Sequence, residues 1–227
     1  MSDTGQRFAS SFEEWIEHAF SHEVRLHGNA WFFDLDAPWI DPPAGQAVAY
    51  MTRLFRNPEE PLAAFSDAQI AQGLTYLVST SASGDRGWFY DRKISTQERI
   101  DFLQSNVALF AKLFAPRCEP RLGHLSEEAE QPLNQRCYMW WDDFPCVAAA
   151  DDPDWGAINA ATLEAMRAIL ALQSVACQES ALHGFGHAAR SSPTEVERAI
   201  DSYLANSANL RPELITYARA ARGGCVL

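Results

Sequence analysis

Ser95-Thr-Gln-Glu98-Arg-Ile100-Asp-Phe-Leu103-Gln-Ser-Asn-Val107-Ala-Leu-Phe110-Ala-Lys-Leu113-Phe-Ala-Pro116 is the stretch on which the fold class turns. Ser95 and Glu98 stand at capping-box spacing, in which the serine hydroxyl and the glutamate carboxylate satisfy each other's orphan backbone N–H groups. Behind that start, Ile100, Leu103, Val107, Phe110 and Leu113 recur at helical spacing until Pro116, so the segment predicts an amphipathic helix.

The same start signal recurs at Ser11 with Glu14, Ser66 with Gln69, and Ser192 with Glu195, the last with Pro193 where a missing N–H costs nothing. Further apolar stripes follow: Ile158, Thr162, Ala165, Ile169 and Leu172, then Val196, Ile200, Tyr203 and Leu204. A final helix from Pro212 to Arg222 should stop at Gly223-Gly224. Alanine and leucine total 55 against 17 for valine and isoleucine, which favours helix over sheet. The expectation is an all-α chain of eight or nine helices, a HEAT-like helical array or an irregular bundle. In 174–222 three helices follow one another at a pitch close to that of helix-pair repeats. The length of 227 residues and the 47% apolar content suit one domain spanning 1–227.

Two connections are longer than a bundle requires: 27–44, with Trp31, Phe32, Phe33 and Trp39, and 81–94, with Trp88, Phe89 and Tyr90. Their aromatic content argues for chain that folds back onto the helices, either plugging gaps or lining a pocket.

Charge narrows the function. Acids outnumber bases 30 to 18, giving a formal charge of -12, and the excess is the same on either side of Leu113. No basic run interrupts it, so nucleic acid and anionic membranes are not the expected partners. The five cysteines are scattered without a C-x-x-C pair, which points to reduced thiols and not to a disulfide framework or zinc knuckle. The amino terminus has no apolar core of the signal-peptide kind, and a cytoplasmic protein is expected.

Candidate chemistry gathers in two places. In Cys177-Gln-Glu-Ser-Ala-Leu-His-Gly-Phe-Gly-His187, the side chains of Glu179, His183 and His187 are four apart and share a helical face. Two imidazoles so spaced can hold a metal ion. The zinc-protease motif is absent, because Gly184 stands where its catalytic glutamate belongs. Two glycines inside a helix, each costing about 1 kcal/mol, argue for close approach of a neighbouring helix, with the histidines hydrogen-bonding across it. Gly184-Phe-Gly-His-Ala-Ala189 has dinucleotide-fingerprint spacing but no strand before it, and is rejected. His18 and His22 have the same spacing and read as an exposed face.

The second place is Tyr138-Met-Trp140-Trp141-Asp142-Asp143, which ends a helix opened near Pro132. Between Cys137 and Met166 there are six carboxylates and no lysine or arginine. Trp140 and Trp141 beside Asp142 and Asp143 are suited to holding a cationic group or flanking a catalytic acid; the other reading is that Trp140 or Trp141 packs inward while the two aspartates cap or solvate the connection. Carboxylates at a helix carboxyl end oppose the macrodipole, so an arginine or another helix start should answer them.

The combination of Phe65 to Gly73, Phe114 to Cys118, Cys137 to Asp142, Cys177 to His187 and Ala221 to Leu227 resembles a family of uncharacterised bacterial proteins that spans essentially the whole chain. That resemblance implies a bacterial, cytosolic, single-domain protein and carries over no activity and no catalytic residue. From the residues themselves, the first expectation is a binding or adaptor protein without cofactor, meeting a protein partner through an acidic, aromatic surface that includes Trp140, Trp141, Asp142, Asp143, Glu179, His183 and His187. A metal-binding protein or enzyme built on Asp142, Asp143, His183 and His187 is the alternative, and a small-molecule carrier using the aromatic loops is a third.

Overall fold

The computed structural model describes residues 7–25, 27, 29–34, 36–37, 40–42, 45–78, 89, 91–128, 131–144, 152–206 and 210–226. Within these lie ten α-helices of four or more residues: α1 Phe12–Phe20, α2 Ala47–Arg56, α3 Asp67–Val78, α4 Thr96–Leu109, α5 Pro132–Tyr138, α6 Trp140–Asp143, α7 Trp155–Leu170, α8 Val175–Ala188, α9 Pro193–Ala205 and α10 Pro212–Arg222. The protein is an all-α helical bundle. The helix expected to run from Pro132 to Asp143 is divided at Met139, which raises the count above the expected eight or nine. The β structure among the described residues is one parallel pairing of Arg7–Phe8 with Ile40–Asp41.

The capping box of α4 forms as expected, with Ser95 Oγ accepting from Glu98 N–H and Glu98 accepting from Ser95 N–H at 2.9 Å. The box at Ser66 and Gln69 also forms. At Ser11 the hydroxyl caps, but Glu14 turns to Ser10 instead. Ser192 does not cap: its hydroxyl accepts from Asn159 Nδ2 at 2.8 Å, tying α9 to α7. Ser174 caps α8 by accepting from Cys177 N–H.

After Leu109 the α4 segment widens into a π turn over Phe110–Phe114, then closes with Ala115–Arg117, so it passes through Pro116 instead of ending before it. The wider turn falls directly ahead of the proline, whose missing N–H interrupts the ladder. The face turned to the core is Phe102, Leu103, Asn106, Leu109, Phe110, Leu113 and Phe114, while Ile100 and Val107 are half-buried.

Packing is not sequential. Helix α4 lies between α2 and α7, α3 bridges α1 and α5, and α8 touches α5, α6, α7, α9 and α10. In a solenoid each repeat contacts its neighbours alone. Here one helix is surrounded, and every residue of α8 from Ala176 to Gly186 is buried, the condition of a helix at the centre of a bundle. The three helices expected in 174–222 are present as α8, α9 and α10. No helix among the described residues is long and apolar enough to cross a membrane.

Within the connection over 27–44, Trp31 and Phe32 fold back onto the helices, whereas Phe33 is exposed. Trp31 stacks on His22 with ring centroids 3.7 Å apart and meets His18 and Tyr76 edge-on or tilted. Phe32 and Phe89 are buried, whereas Trp39, Trp88 and Tyr90 lie outside the described residues. The expected exposed face of α1 is corrected at His18, which is buried under this connection with its Nε2 3.5 Å from the Tyr76 hydroxyl.

Burial, reinforced by the neighbouring His22, pushes the His18 imidazole down to about 4. In the unfolded chain its value is near 6.5, so the unfolded state takes up more protons between those limits and folding weakens as pH falls through that window. Urea unfolding of the wild-type protein at pH 7.5 and pH 5.0 should differ by about 2 kcal/mol more than for His18→Gln, which does not titrate.

Candidate metal centre

The site is assembled on α8, and glycine makes the assembly tight. A Cβ at Gly184 would come within 2.7 Å of Trp141 Cγ and of Met166 Cε, so α6 and α7 rest directly on the backbone of α8. A Cβ at Gly186 would come within 2.5 Å of both γ-carbons of Val226, so the chain following α10 lies on the same helix. Close approach is therefore the reason for both glycines. The helical state of 184–188 also removes the dinucleotide-fingerprint reading.

Trp140 and Trp141 are both buried and face the core, not a binding surface. The Trp140 indole N–H donates to Asn106 Oδ1 at 2.9 Å, and its ring packs among Phe55, Phe110, Phe114 and Phe144. With both tryptophans anchored, the next residue, Asp142, is carried to the rim of α8.

There Asp142 meets both histidines. Its Oδ2 lies 2.9 Å from His183 Nε2, its Oδ1 lies 3.1 Å from His187 Nε2, and the two Nε2 atoms are 3.0 Å apart. Burial alone would raise the Asp142 carboxyl, but hydrogen bonds and charge from His183 and His187 outweigh it and hold the group well below the usual carboxylate range. His183 is fully buried, whereas 44% of the His187 side chain and 29% of Asp142 are exposed, so the cluster opens to solvent on one side. Among the described residues these three form a group able to hold a metal ion.

Behind the cluster stands a second layer. His183 Nδ1 is 2.7 Å from the Tyr217 hydroxyl. Burial, with the adjacent Tyr138 hydroxyl, pushes the Tyr217 phenol upward, so it is a neutral partner for the imidazole. Tyr217 stacks flat on His124, with centroids 4.0 Å apart, and His124 Nδ1 reaches Glu179 Oε1 at 2.6 Å. Glu179 is buried and also accepts the backbone N–H groups of Gly123 and His124, at 2.9 and 3.0 Å. A buried carboxylate with this many donors is fully engaged, as it must be. Glu179 thus shares the helical face with the histidines, as its spacing predicted, but positions the support instead of joining the ligands.

Asp143 is likewise turned away. Arg136 donates to Asp143 Oδ2 at 2.8 Å and to Met139 O at 2.6 Å, clamping the turn between α5 and α6. This is the arginine that the helix-end carboxylate required. Two further acids of that region are answered from elsewhere in the chain: buried Arg99 bonds Asp152 and Asp154, each at 2.6 Å. The four-residue set of Asp142, Asp143, His183 and His187 therefore reduces to three. Tyr217 and His124 had no signal in the sequence, because each reaches the site from a separate element, whereas Tyr138 stands at the head of the 138–143 motif and packs its ring against His183. His18 and His22 pack with Trp31 and Tyr76 and do not join it.

Comparison with protein-family models, with curated proteins and with solved structures gives no match to this chain. The chemistry of the site has to be derived from its own geometry.

Gly184→Ala should lower stability by about 1–3 kcal/mol in urea unfolding, because the ring root of Trp141 cannot swing aside as a flexible chain end does. Gly156→Ala, with no atom within 4 Å of the added methyl, should lose nothing.

Proposed function

We propose that this protein binds a divalent first-row transition metal through His183 Nε2, His187 Nε2 and the Asp142 carboxylate. The carrying observation is the 3.0 Å separation of the two Nε2 atoms beside a carboxylate that touches both. The carboxylate and both ring nitrogens thus converge on one point from three sides, and a cation placed there would engage all three groups at once. Ligands on adjacent corners with bonds of about 2.1 Å are about 3.0 Å apart at right angles and about 3.4 Å apart in a tetrahedron. The side chains therefore need little movement to bind.

Two imidazoles and one carboxylate leave coordination positions free, and that donor set is used by both catalytic zinc and non-haem iron(II). Here the free positions face solvent past His187 and Asp142. An ion so held offers Lewis-acid chemistry or activation of a bound water. The protein's own contribution is orientation: with Nε2 on the ion, His183 carries its proton on Nδ1 and donates it to Tyr217, which the His124 stack and Glu179 keep in place.

Protein purified without a histidine tag, loaded with zinc and dialysed, should retain about one ion per chain by elemental analysis. His183→Ala and Asp142→Asn should abolish retention, whereas Asp143→Asn should bind as wild type because its carboxylate serves Arg136. Tyr217→Phe should weaken zinc binding by about 10–100-fold in calorimetric titration, the usual cost of losing an outer-shell partner. Wild-type protein that retains no zinc, or a His183→Ala variant that binds equally well, overturns the assignment.

A further inference from the structure

A cavity of about 690 Å³ lies away from the metal centre, between the carboxyl end of α7, the first turns of α8, and α9 and α10. Its lining is the reverse of the chain's overall charge. Three arginines, Arg167, Arg198 and Arg211, border it, and among the described residues no aspartate or glutamate does, although the protein carries 30 acids and 18 bases. Arg211 is committed to Glu127 at 2.8 Å. Arg167 has a surface contact with Glu164 at 3.2 Å, of a kind worth little in water. Arg198 is exposed and has no ion-pair partner among the described residues.

The depth of the cavity is apolar. Leu170, Ala199 and Leu214 are buried there, while Arg198 and Ser202 stand at the exposed rim. One wall is fixed by a polar pair: Tyr203 donates to Gln178 Oε1 at 3.2 Å, and Gln178 Nε2 donates to Leu172 O at 2.7 Å. Burial pushes the Tyr203 phenol up to about 12, so it brings no negative charge to the cavity near neutral pH. The volume falls within the range of sites for small organic ligands, which are mostly apolar with a few placed polar groups.

We infer that this cavity binds a small amphipathic anion, its apolar body against Leu170, Ala199 and Leu214 and its anionic head at Arg198 and Arg167. Guanidinium groups match carboxylate and phosphate oxygens geometrically, so both heads are within the chemistry of the site. The inference is independent of the metal assignment, since none of the three proposed metal ligands lines the cavity.

Calorimetric titration of the full chain with decanoate, decyl phosphate, decanol and decylamine tests it, in buffer with a chelator so that metal plays no part. Decanoate or decyl phosphate should bind with one site per chain and at least 10-fold more tightly than decanol, with no detectable binding of decylamine. The tighter of the two anions identifies the head group. Arg198→Gln with Arg167→Gln should weaken the anion at least 10-fold while leaving the melting temperature in place, because both residues are exposed or half-exposed. Ser202→Trp, an exposed change at the rim, should block binding by filling the mouth. Absence of anion binding, equal affinity for decanol, or affinity unaffected by either the arginine pair or Ser202→Trp overturns the inference.

Discussion

Everything distinctive in this molecule depends on the contact between the Trp141 ring and the bare backbone of Gly184. Helix α8 is buried on all sides, and a surrounded helix normally keeps its neighbours at a distance set by their side chains, about 8–10 Å between axes. Removing the side chain at Gly184 lets the indole lie against the helix itself. Because Asp142 follows Trp141 directly, the depth at which the ring seats determines where the carboxylate arrives, and it arrives beside His183 and His187. Asn106 fixes the preceding tryptophan at the start of α6 and Arg136 bonds Asp143 at its last residue, so the short helix is held at both ends.

Around that contact the interior is more polar than its composition suggests. Glu179, His183 and Tyr217 are all buried, and burying such groups is unfavourable unless each donor and acceptor is matched. Here they are matched in series, Glu179 to His124, His124 stacked on Tyr217, Tyr217 to His183, and His183 to Asp142. Each member restrains the next, and the far end of the series is the group with coordinating capacity. Positioning of a ligand by an outer partner is how metal sites acquire a defined tautomer and ring orientation.

The acidic excess is distributed with similar local logic. Asp143, Asp152 and Asp154 are each answered by an arginine that is itself buried, Arg136 or Arg99, and Asp142 by imidazoles. At these four positions, what reads in the sequence as an acidic run is, in space, a set of individual pairings with residues of other segments. The cavity bordered by α7, α8, α9 and α10 shows the complementary case, three arginines at one rim, of which Arg167 and Arg211 are paired with glutamates and Arg198, among the described residues, is not.

Local information in the sequence determined the helices. The box at Ser95 and Glu98, the apolar spacing through Leu113, the start at Pro212 and the stop at Gly223 each depend on residues a turn or two apart, and physical interactions at that range are written in consecutive letters. The glycines of α8 also signalled a close neighbour, since nothing local compensates their cost. Tertiary structure decided the rest. Ser192 was recruited by Asn159 and not by its own helix, His18 was covered by a returning Trp31, the tryptophans turned inward, and Asp142 was separated in role from Asp143 by which partner each could reach. Those outcomes follow from contacts between segments distant in the chain, where spacing along the sequence carries no information about who meets whom.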